Sequence, residues 1–411
     1  MHTVDVAVVG AGPAGSAAAI TLARAGLDVT VLDRATFPRD KICGDGLTTG
    51  ALRLLEGLGL DPASVASWQD VEDCYVSSPS GVIKRFPLPR GQGRFASVAT
   101  RSDLDAALVD RARTEGATVL DGHGVTAATE SHDGVALEVD GVGTVRARWV
   151  IAADGMWSPM RKHLGVGRPG YLGDWHAFRQ YLSGVGPDAA GSLHVFFEPD
   201  ILPGYFWSFP LPDGRANIGF GVQRGGKVAV GDMKHVWQDL LERPAIRRLL
   251  GPDATPDGPH RAWPIPARVD GMVPATGRTL FVGDAVAACD VMTGEGIGQA
   301  LLTGMRAAES IRDRGPLGDA AERYASVLHD DLVADHRMSV LLVRALQHRR
   351  GARAAVRVAG ATDWTRRNFA RWLFEDYPRA VAVTPRRWHS GVLSGPGAFR
   401  ERQVSGPAGP R

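Results

Sequence analysis

A thiol, a few carboxylates at strand ends and a row of aromatic side chains are the groups whose spacing in this sequence could do chemistry. The thiol is Cys43, in the stretch FPRDKICGDGL from Phe37 to Leu47. Phe37-Pro38 interrupts any helix, and Gly44 and Gly46 let the backbone pass close to a neighbour. Cys43 is therefore expected on a turn, facing a site. The plainer reading is a small buried hydrophobe. A second candidate group lies in LPGYFWSFPLPDGRANIGFGV, where alternation along a strand puts Tyr205, Trp207 and Phe209 on one face. Three aromatics so placed can wall a flat or extended apolar substrate, or serve only as sheet core. Asp213-Gly214 then reads as a hairpin turn into a paired strand, RANIGFGV.

The elements that must position these groups begin at the N-terminus. Val4 to Val9 reads as a buried strand running into GAGPAG, with Gly10, Gly12 and Gly15 at the GxGxxG positions and Pro13 and Ala14 between them. SAAAITLARAG follows as a helix of small residues, and DVTVLDR as a second strand ending at Asp33 and Arg34. Such a turn lets a pyrophosphate approach a helix N-terminus, where free N–H groups and the helix dipole favour anions. Asp33 follows Gly15 by 18 residues, the place of a carboxylate that holds ribose hydroxyls. The chemistry expected is dinucleotide binding.

Two further segments narrow the dinucleotide. VIAADGMWSPMRKHLG is a strand ending in Asp154-Gly155, with Ser158 and Arg161 just beyond. TLFVGDAVAACDVMTGEGIGQALLTG is a strand ending in Gly283-Asp284, followed by Gly294, Gly296 and a helix beginning near Ile297. Asp284 can accept from ribityl hydroxyls, and the helix N-terminus can face a flavin pyrimidine edge. Arg101, ahead of the helical SDLDAALVDRA, suits either a further cofactor contact or the surface. In this order the pieces resemble the FAD-dependent oxidoreductases of the p-hydroxybenzoate hydroxylase fold, over roughly residues 1 to 325.

That fold carries many reactions. The Cys43 stretch looks like the PxxKxCG segment of the geranylgeranyl reductase family, with Pro38, Lys41, Cys43 and Gly44 matching. Pro203, Tyr205, Trp207, Phe209 and Pro210 are similar to that family's PxxYxWxFP signature. The resemblance implies FAD, a hydrophobic prenylated substrate, and reduction of its carbon–carbon double bonds. It makes Cys43 the proton donor or a positioning residue, and Tyr205 and Trp207 the groups that place the alkene. One departure stands out: Asp290-Val291 replaces the family's Asn-Pro before Thr-Gly-Glu-Gly. A rival reading, a flavin monooxygenase or halogenase acting on an aromatic small molecule, rests on partial overlap of Gly204 to Trp207 with the halogenase GWxWxIP signature. No second dinucleotide fingerprint is present, so NAD(P)H, a reduced ferredoxin or a small reductase protein are all open as electron donor.

Composition agrees with this class. A chain of 411 residues, 44% hydrophobic, supports a large core in two interleaved domains, and a formal net charge of +2 argues against a nucleic-acid binder. Cys43, Cys74 and Cys289 form neither a disulfide framework nor a zinc ligand set. Without a charged, apolar leader or a run of about 18 uncharged apolar residues, the expectation is a cytoplasmic protein with no spanning helix.

The expected architecture is α/β: a Rossmann-type FAD domain (1–75, 95–165 and 273–325) interleaved with a mixed-sheet substrate domain (76–94 and 166–272). A basic helical region (326–390) and a flexible tail (391–411) follow. From Arg344 to Arg387 there are 11 arginines against the acids Asp363, Glu375 and Asp376. Trp364, Phe369, Trp372 and Leu373 fall near one face of DWTRRNFARWLFEDY. That face suits either an anionic membrane surface or packing on the catalytic domain.

Overall fold

The computed structural model describes residues 2–400 of the chain. Its first sheet grows from the apolar run His2–Val9, whose Val6, Ala7 and Val8 are fully buried. A strand apolar on both faces belongs at the centre of a parallel sheet covered by helices. Accordingly, it pairs in parallel with Val29–Asp33 on one side and with Gly143–Ala152 on the other. Thr118–Asp121 and Thr279–Phe281 extend the two edges, also in parallel. The helix Pro13–Arg24 packs against the helix Ile297–Arg314 through small residues. A Cβ at Gly304 would stand 2.1 Å from the carbonyl oxygen of Ala14, so only glycine permits this approach. The contact brings the N-termini of both helices to one side of the sheet, where a dinucleotide would span them.

The second sheet is mixed, as expected. Trp175–Ser183, Arg215–Gln223 and Phe206–Leu211 are antiparallel neighbours, Leu193–Phe196 follows, and Asp73–Ser77 joins it in parallel. Asp73–Ser77 thus already belongs to this sheet, just before the expected crossing at residue 76. Leu211 pairs with Arg215, so the hairpin turns through Pro212, Asp213 and Gly214, the last two with positive φ (63° and 67°).

Three helices, Ala334–Leu346, Arg349–Ala359 and Asp363–Leu373, close over the second sheet. The last is opened by a reciprocal cap between Thr362 and Thr365. Phe369 meets Phe86 with ring centroids 4.9 Å apart, and Ala370 and Phe374 join a core that includes Phe95 and Leu211. Of the tail expected from residue 391, residues 401–411 lie outside the described residues. Residues 391–400 make defined contacts instead: Ala398 bridges to Arg94, and Phe399 packs edge-on against Trp68 at 5.8 Å. An apolar pair at its end anchors a stretch whose Gly and Pro content had suggested fraying. No helix among the described residues is long and apolar enough to cross a membrane.

Candidate functional site

One cavity of about 1120 Å³ runs from the Gly10 turn, past Cys43 and the aromatic strand, to the C-terminal helices. Of the expected site residues, Gly10, Gly12, Pro13, Ala14, Asp33, Arg34, Cys43, Gly44, Arg101, Asp154, Gly155, Tyr205, Trp207, Gly283, Asp284, Gly294, Gly296 and Ile297 all line it. Gly15 does not. A Cβ there would lie 1.8 Å from the Gly10 carbonyl oxygen, so this glycine serves the closure of the turn.

At the phosphate end, Gly12 is extended (φ −68°), a conformation open to any residue. A Cβ on it would meet only guanidinium nitrogens of Arg39 and Arg101, at 3.6 and 3.9 Å. The protein's own packing does not require a glycine here, and the open space would suit a passing pyrophosphate. Arg101 is tied to Asp105 by two hydrogen bonds of 2.8 Å, and Arg39 pairs with the same carboxylate at 2.8 Å. One buried Asp105 thus aims two cations at the turn. Asp33 accepts from the backbone N–H groups of Ala11 and Ala35, which fixes it at its strand end with lone pairs to spare. Asp154 has both oxygens engaged, by Ser158 Oγ at 2.7 Å and Met160 N–H at 2.8 Å, so it shapes the turn beside the cavity. These residues fit FAD.

The Cys43 turn lies against the aromatic strand, and this explains its glycines. A Cβ on Gly46 would stand 3.0 Å from the Phe209 ring, and one on Gly44 3.4 Å from it. Tyr205, Trp207 and Phe209 stand in a row with centroids 6.2 Å apart at each step. The intervening Phe206 turns to the opposite core, against Phe196. Gly219, opposite Trp207 on the paired strand, leaves room for the indole; a Cβ there would be 2.2 Å from it. Trp207 Nε1 donates to Asn217 Oδ1 at 3.0 Å. Asn217 Nδ2 in turn reaches the Cys43 carbonyl at 2.9 Å and Asp45 Oδ2 at 2.7 Å. Tyr181 donates to the same Asp45 oxygen at 2.7 Å, and the Asp45 N–H donates to Cys43 Sγ at 3.4 Å. Burial pushes the Cys43 thiol up, with Arg101 pulling the other way. Burial likewise pushes Asp45 up to about 6, against the hydrogen bond from Tyr181. Lys41 lies over the Trp263 ring at 3.5 Å and is lowered to about 8 by burial.

The opposite wall holds the departure at Asp290. Its Oδ1 accepts from the N–H groups of Met292 and Thr293 and from the Thr293 hydroxyl, forming the loop by side-chain bonds where the family uses proline. Its Oδ2 accepts from Ser339 at 2.6 Å and pairs with Arg379 at 3.2 Å. Arg379 also pairs with Glu375 at 3.1 Å. Tyr205 donates its hydroxyl to the Thr293 carbonyl, joining this loop to the aromatic row. Glu295 Oε1 takes the N–H of Gly298 at 2.5 Å, in the first turn of the helix Ile297–Arg314. Burial first, and the charge of Glu375 next, push Glu295 up.

Of the two settings open to the aromatic face of the C-terminal helices, packing on the catalytic domain takes up most of it. Trp364, Phe369, Trp372 and Leu373 all line the cavity, and of the four only Trp364 is largely exposed (64%). Their amphipathic face covers this end of the cavity because the second sheet offers a large apolar surface to bury. Arg39, Asp45, Tyr181, Asn217, Glu295, Glu375 and Arg379 were not foreseen. Asp45 stands inside the quoted Cys43 motif and Asn217 on the expected strand facing it. Glu375 and Arg379 carried no signal, being some 80 residues from the loop they serve.

Comparison with known proteins bears on this geometry. An FAD binding domain family model matches residues 3–308. The chain is 34% identical to a menaquinone reductase of Mycolicibacterium smegmatis, over 79% of this chain and 80% of that protein. It is 35% identical to digeranylgeranylglycerophospholipid reductase 2 of Methanopyrus kandleri, over 78% of this chain and 81% of that one. A geranylgeranyl bacteriochlorophyll reductase-like structure from Thermoplasma acidophilum superposes with a TM-score of 0.78 at 22% identity, covering 94% of this chain and all of that one. A halogenase solved with FAD gives 0.69 at 17% identity, covering 86% of this chain and 79% of that one, a likeness of fold alone.

Proposed function

From its membership in the geranylgeranyl reductase family of FAD-binding oxidoreductases, to which this chain belongs, we propose that it saturates carbon–carbon double bonds of a polyprenyl chain. The substrate is an isoprenoid lipid, a prenyl quinone or geranylgeranyl diphosphate. The observation that carries the reading is the cavity itself: an apolar arm between the second sheet and the C-terminal helices leads to the Cys43 turn, which lies beside the expected cofactor end.

The Gly10–Ala14 turn, Asp33, Arg39, Arg101 and Asp284 would hold FAD, which would supply hydride when reduced. The residues of the chain do the rest. Tyr205, Trp207 and Phe209 lay an extended alkene flat and exclude water. Tyr205 is held by Thr293 and Trp207 by Asn217, so the row is fixed before substrate enters. Cys43 keeps its proton because burial raises the thiol, and it delivers that proton to the alkene carbon that does not take hydride. An isolated alkene has no carbonyl to polarise, which accords with a largely apolar arm.

Electrons arrive from NAD(P)H or from a reduced ferredoxin or reductase protein. Peripheral contact with an anionic membrane uses the exposed Trp364 and Val358 and the arginines of Arg349–Ala359, and lets a prenyl chain pass from bilayer to arm. Mass spectrometry of lipid extracts from cells with and without the gene tests the function. The expected result is loss of added hydrogen pairs in prenylated species; identical prenyl profiles would count against it.

A further inference from the structure

Gly44 and Gly46 flank a residue that the turn alone would also have made glycine. Asp45 has φ +64°, in the left-handed region that favours glycine over residues with a side chain. It is also fully buried (0% exposed), which penalises a carboxylate further. Neither strain nor burial favours Asp here, so the side chain answers some other demand. Its Oδ2 is saturated by Tyr181 and Asn217. Its Oδ1, equally buried, has no hydrogen-bond partner among the described residues, and Asp45 lines the cavity. Its own N–H donates to Cys43 Sγ, so thiol and carboxyl share one turn.

We propose that Asp45 is the carboxylic acid behind Cys43: it hands its proton to the cysteine thiolate left after each alkene is protonated, and so readies the site for the next double bond. The inference rests on the reading of Cys43 as proton donor. The step balances: carboxylic acid and thiolate become carboxylate and thiol, with no change of oxidation state, and solvent returns the proton to Asp45. Direction favours it, since burial holds the thiol above its ordinary value while Asp45 titrates near 6.

The groups that face Asp45 set its titration. They are Tyr181 and Arg179 from the strand Trp175–Ser183, Asn217 from Arg215–Gln223, Arg101 from the helix Arg101–Thr114, and Cys43 on the turn. All except Cys43 favour the carboxylate, by hydrogen bond or by charge, against the burial that opposes it. Arg179 is itself held over the Tyr181 ring at 4.1 Å and paired with Asp40 at 2.6 Å. Because the acid must carry its proton to act, turnover limited by this step falls as pH rises through the Asp45 value.

The test uses the FAD-loaded enzyme and two variants, Asp45→Asn and Tyr181→Phe, each checked first for FAD content and rate of flavin reduction. One readout needs no substrate: the pH dependence of Cys43 alkylation by iodoacetamide, located by peptide mass. Removing the neighbouring carboxylate in Asp45→Asn should move its midpoint down by roughly one pH unit. The second readout is multiple turnover with a polyprenyl quinone. Asp45→Asn should be slower by about 100-fold and lose the fall at higher pH. Tyr181→Phe keeps the acid but removes a bond that favours its ionised form, so its fall should shift to higher pH. That variant keeps the proposal testable if Asp45→Asn folds poorly. If Asp45→Asn shows the parent alkylation profile and the parent rate, or Tyr181→Phe leaves the pH profile unmoved, the relay is wrong while prenyl reduction stands. If the parent enzyme reduces no prenyl chain, the alkylation profiles still decide whether the two side chains are coupled.

Discussion

The two walls of the cavity bury carboxyl groups in opposite ways. On the Cys43 side, Asp45 is held directly by neutral donors, Tyr181 and Asn217. On the other side Asp290 and Glu375 pair with one buried guanidinium, Arg379, and Glu295 stands within reach of their charges. A carboxyl held by neutral donors can change protonation without stranding a buried cation. A carboxylate such as Asp290, whose pairing with a buried arginine would be lost on protonation, serves instead to fasten chain segments together. On the proposed mechanism the first wall moves protons, while the second joins the Thr293 loop to the C-terminal region.

The largest effect should come from removing the cofactor common to both walls. Gly12→Val should abolish FAD binding, read as loss of flavin absorbance in the purified protein. Since a Cβ at Gly12 meets nothing nearer than 3.6 Å, the variant should still fold. Stoichiometric FAD in it would displace the phosphate site from this turn.

Next in size is Cys43→Ala, which should leave FAD binding and flavin reduction nearly unchanged. It should slow alkene reduction by about 100-fold to 10,000-fold, with part of the rate returning in Cys43→Ser. Parent turnover in Cys43→Ala would remove the first wall from the chemistry.

The second wall is probed through stability. Arg379→Met strands buried carboxylates and should destabilise the protein by about 3–5 kcal/mol, measured by denaturant unfolding with FAD bound. The Glu295 and Glu375 pair adds a pH signature. Burial raises both in the folded state, Glu295 to about 8 with the charge of Glu375 adding to it, and Glu375 to about 7 with Arg379 opposing and Asp290 adding. Their unfolded values lie near 4.3. A raised acid binds protons more tightly when folded, so this contribution is fully present below about pH 4.3 and is lost as pH rises through 7 to 8. Glu375→Gln should flatten that decline, and an unchanged slope would show that the pair does not interact.

The same contrast reaches the surface as the smallest effect. Trp364→Ser should weaken binding to anionic liposomes by roughly 1 kcal/mol, about fivefold, with high salt acting in the same direction. Trp372→Ser, which lines the cavity beneath Arg379 at 5.2 Å, should affect substrate turnover instead. Equal release by both would place Trp372 as well as Trp364 at the membrane.

What the sequence disclosed follows from how locally each feature is encoded. The Gly10–Gly15 turn, Asp33 and the alternation of Tyr205, Trp207 and Phe209 depend on neighbours a few residues away, and each appears where its spacing placed it. Gly44 and Gly46 signalled a close approach, yet not to what; Phe209 and Trp207 lie well over 150 residues further on. The hydrophobic face of Asp363–Leu373 was legible as a pattern, but periodicity cannot say whether lipid or protein covers it. Asp290 read as a local anomaly because its compensating partners, Ser339 and Arg379, come from a region with no motif.

The most direct test of prenyl reduction is a single-turnover experiment. FAD-loaded enzyme is reduced chemically without oxygen, mixed with a polyprenyl quinone, and followed by flavin absorbance and product mass. Flavin reoxidation should be matched one-for-one by a hydrogen pair added to the prenyl chain, with Cys43→Ala slow in both. Flavin that stays reduced until oxygen is admitted, with the prenyl chain unaltered, would contradict prenyl reduction.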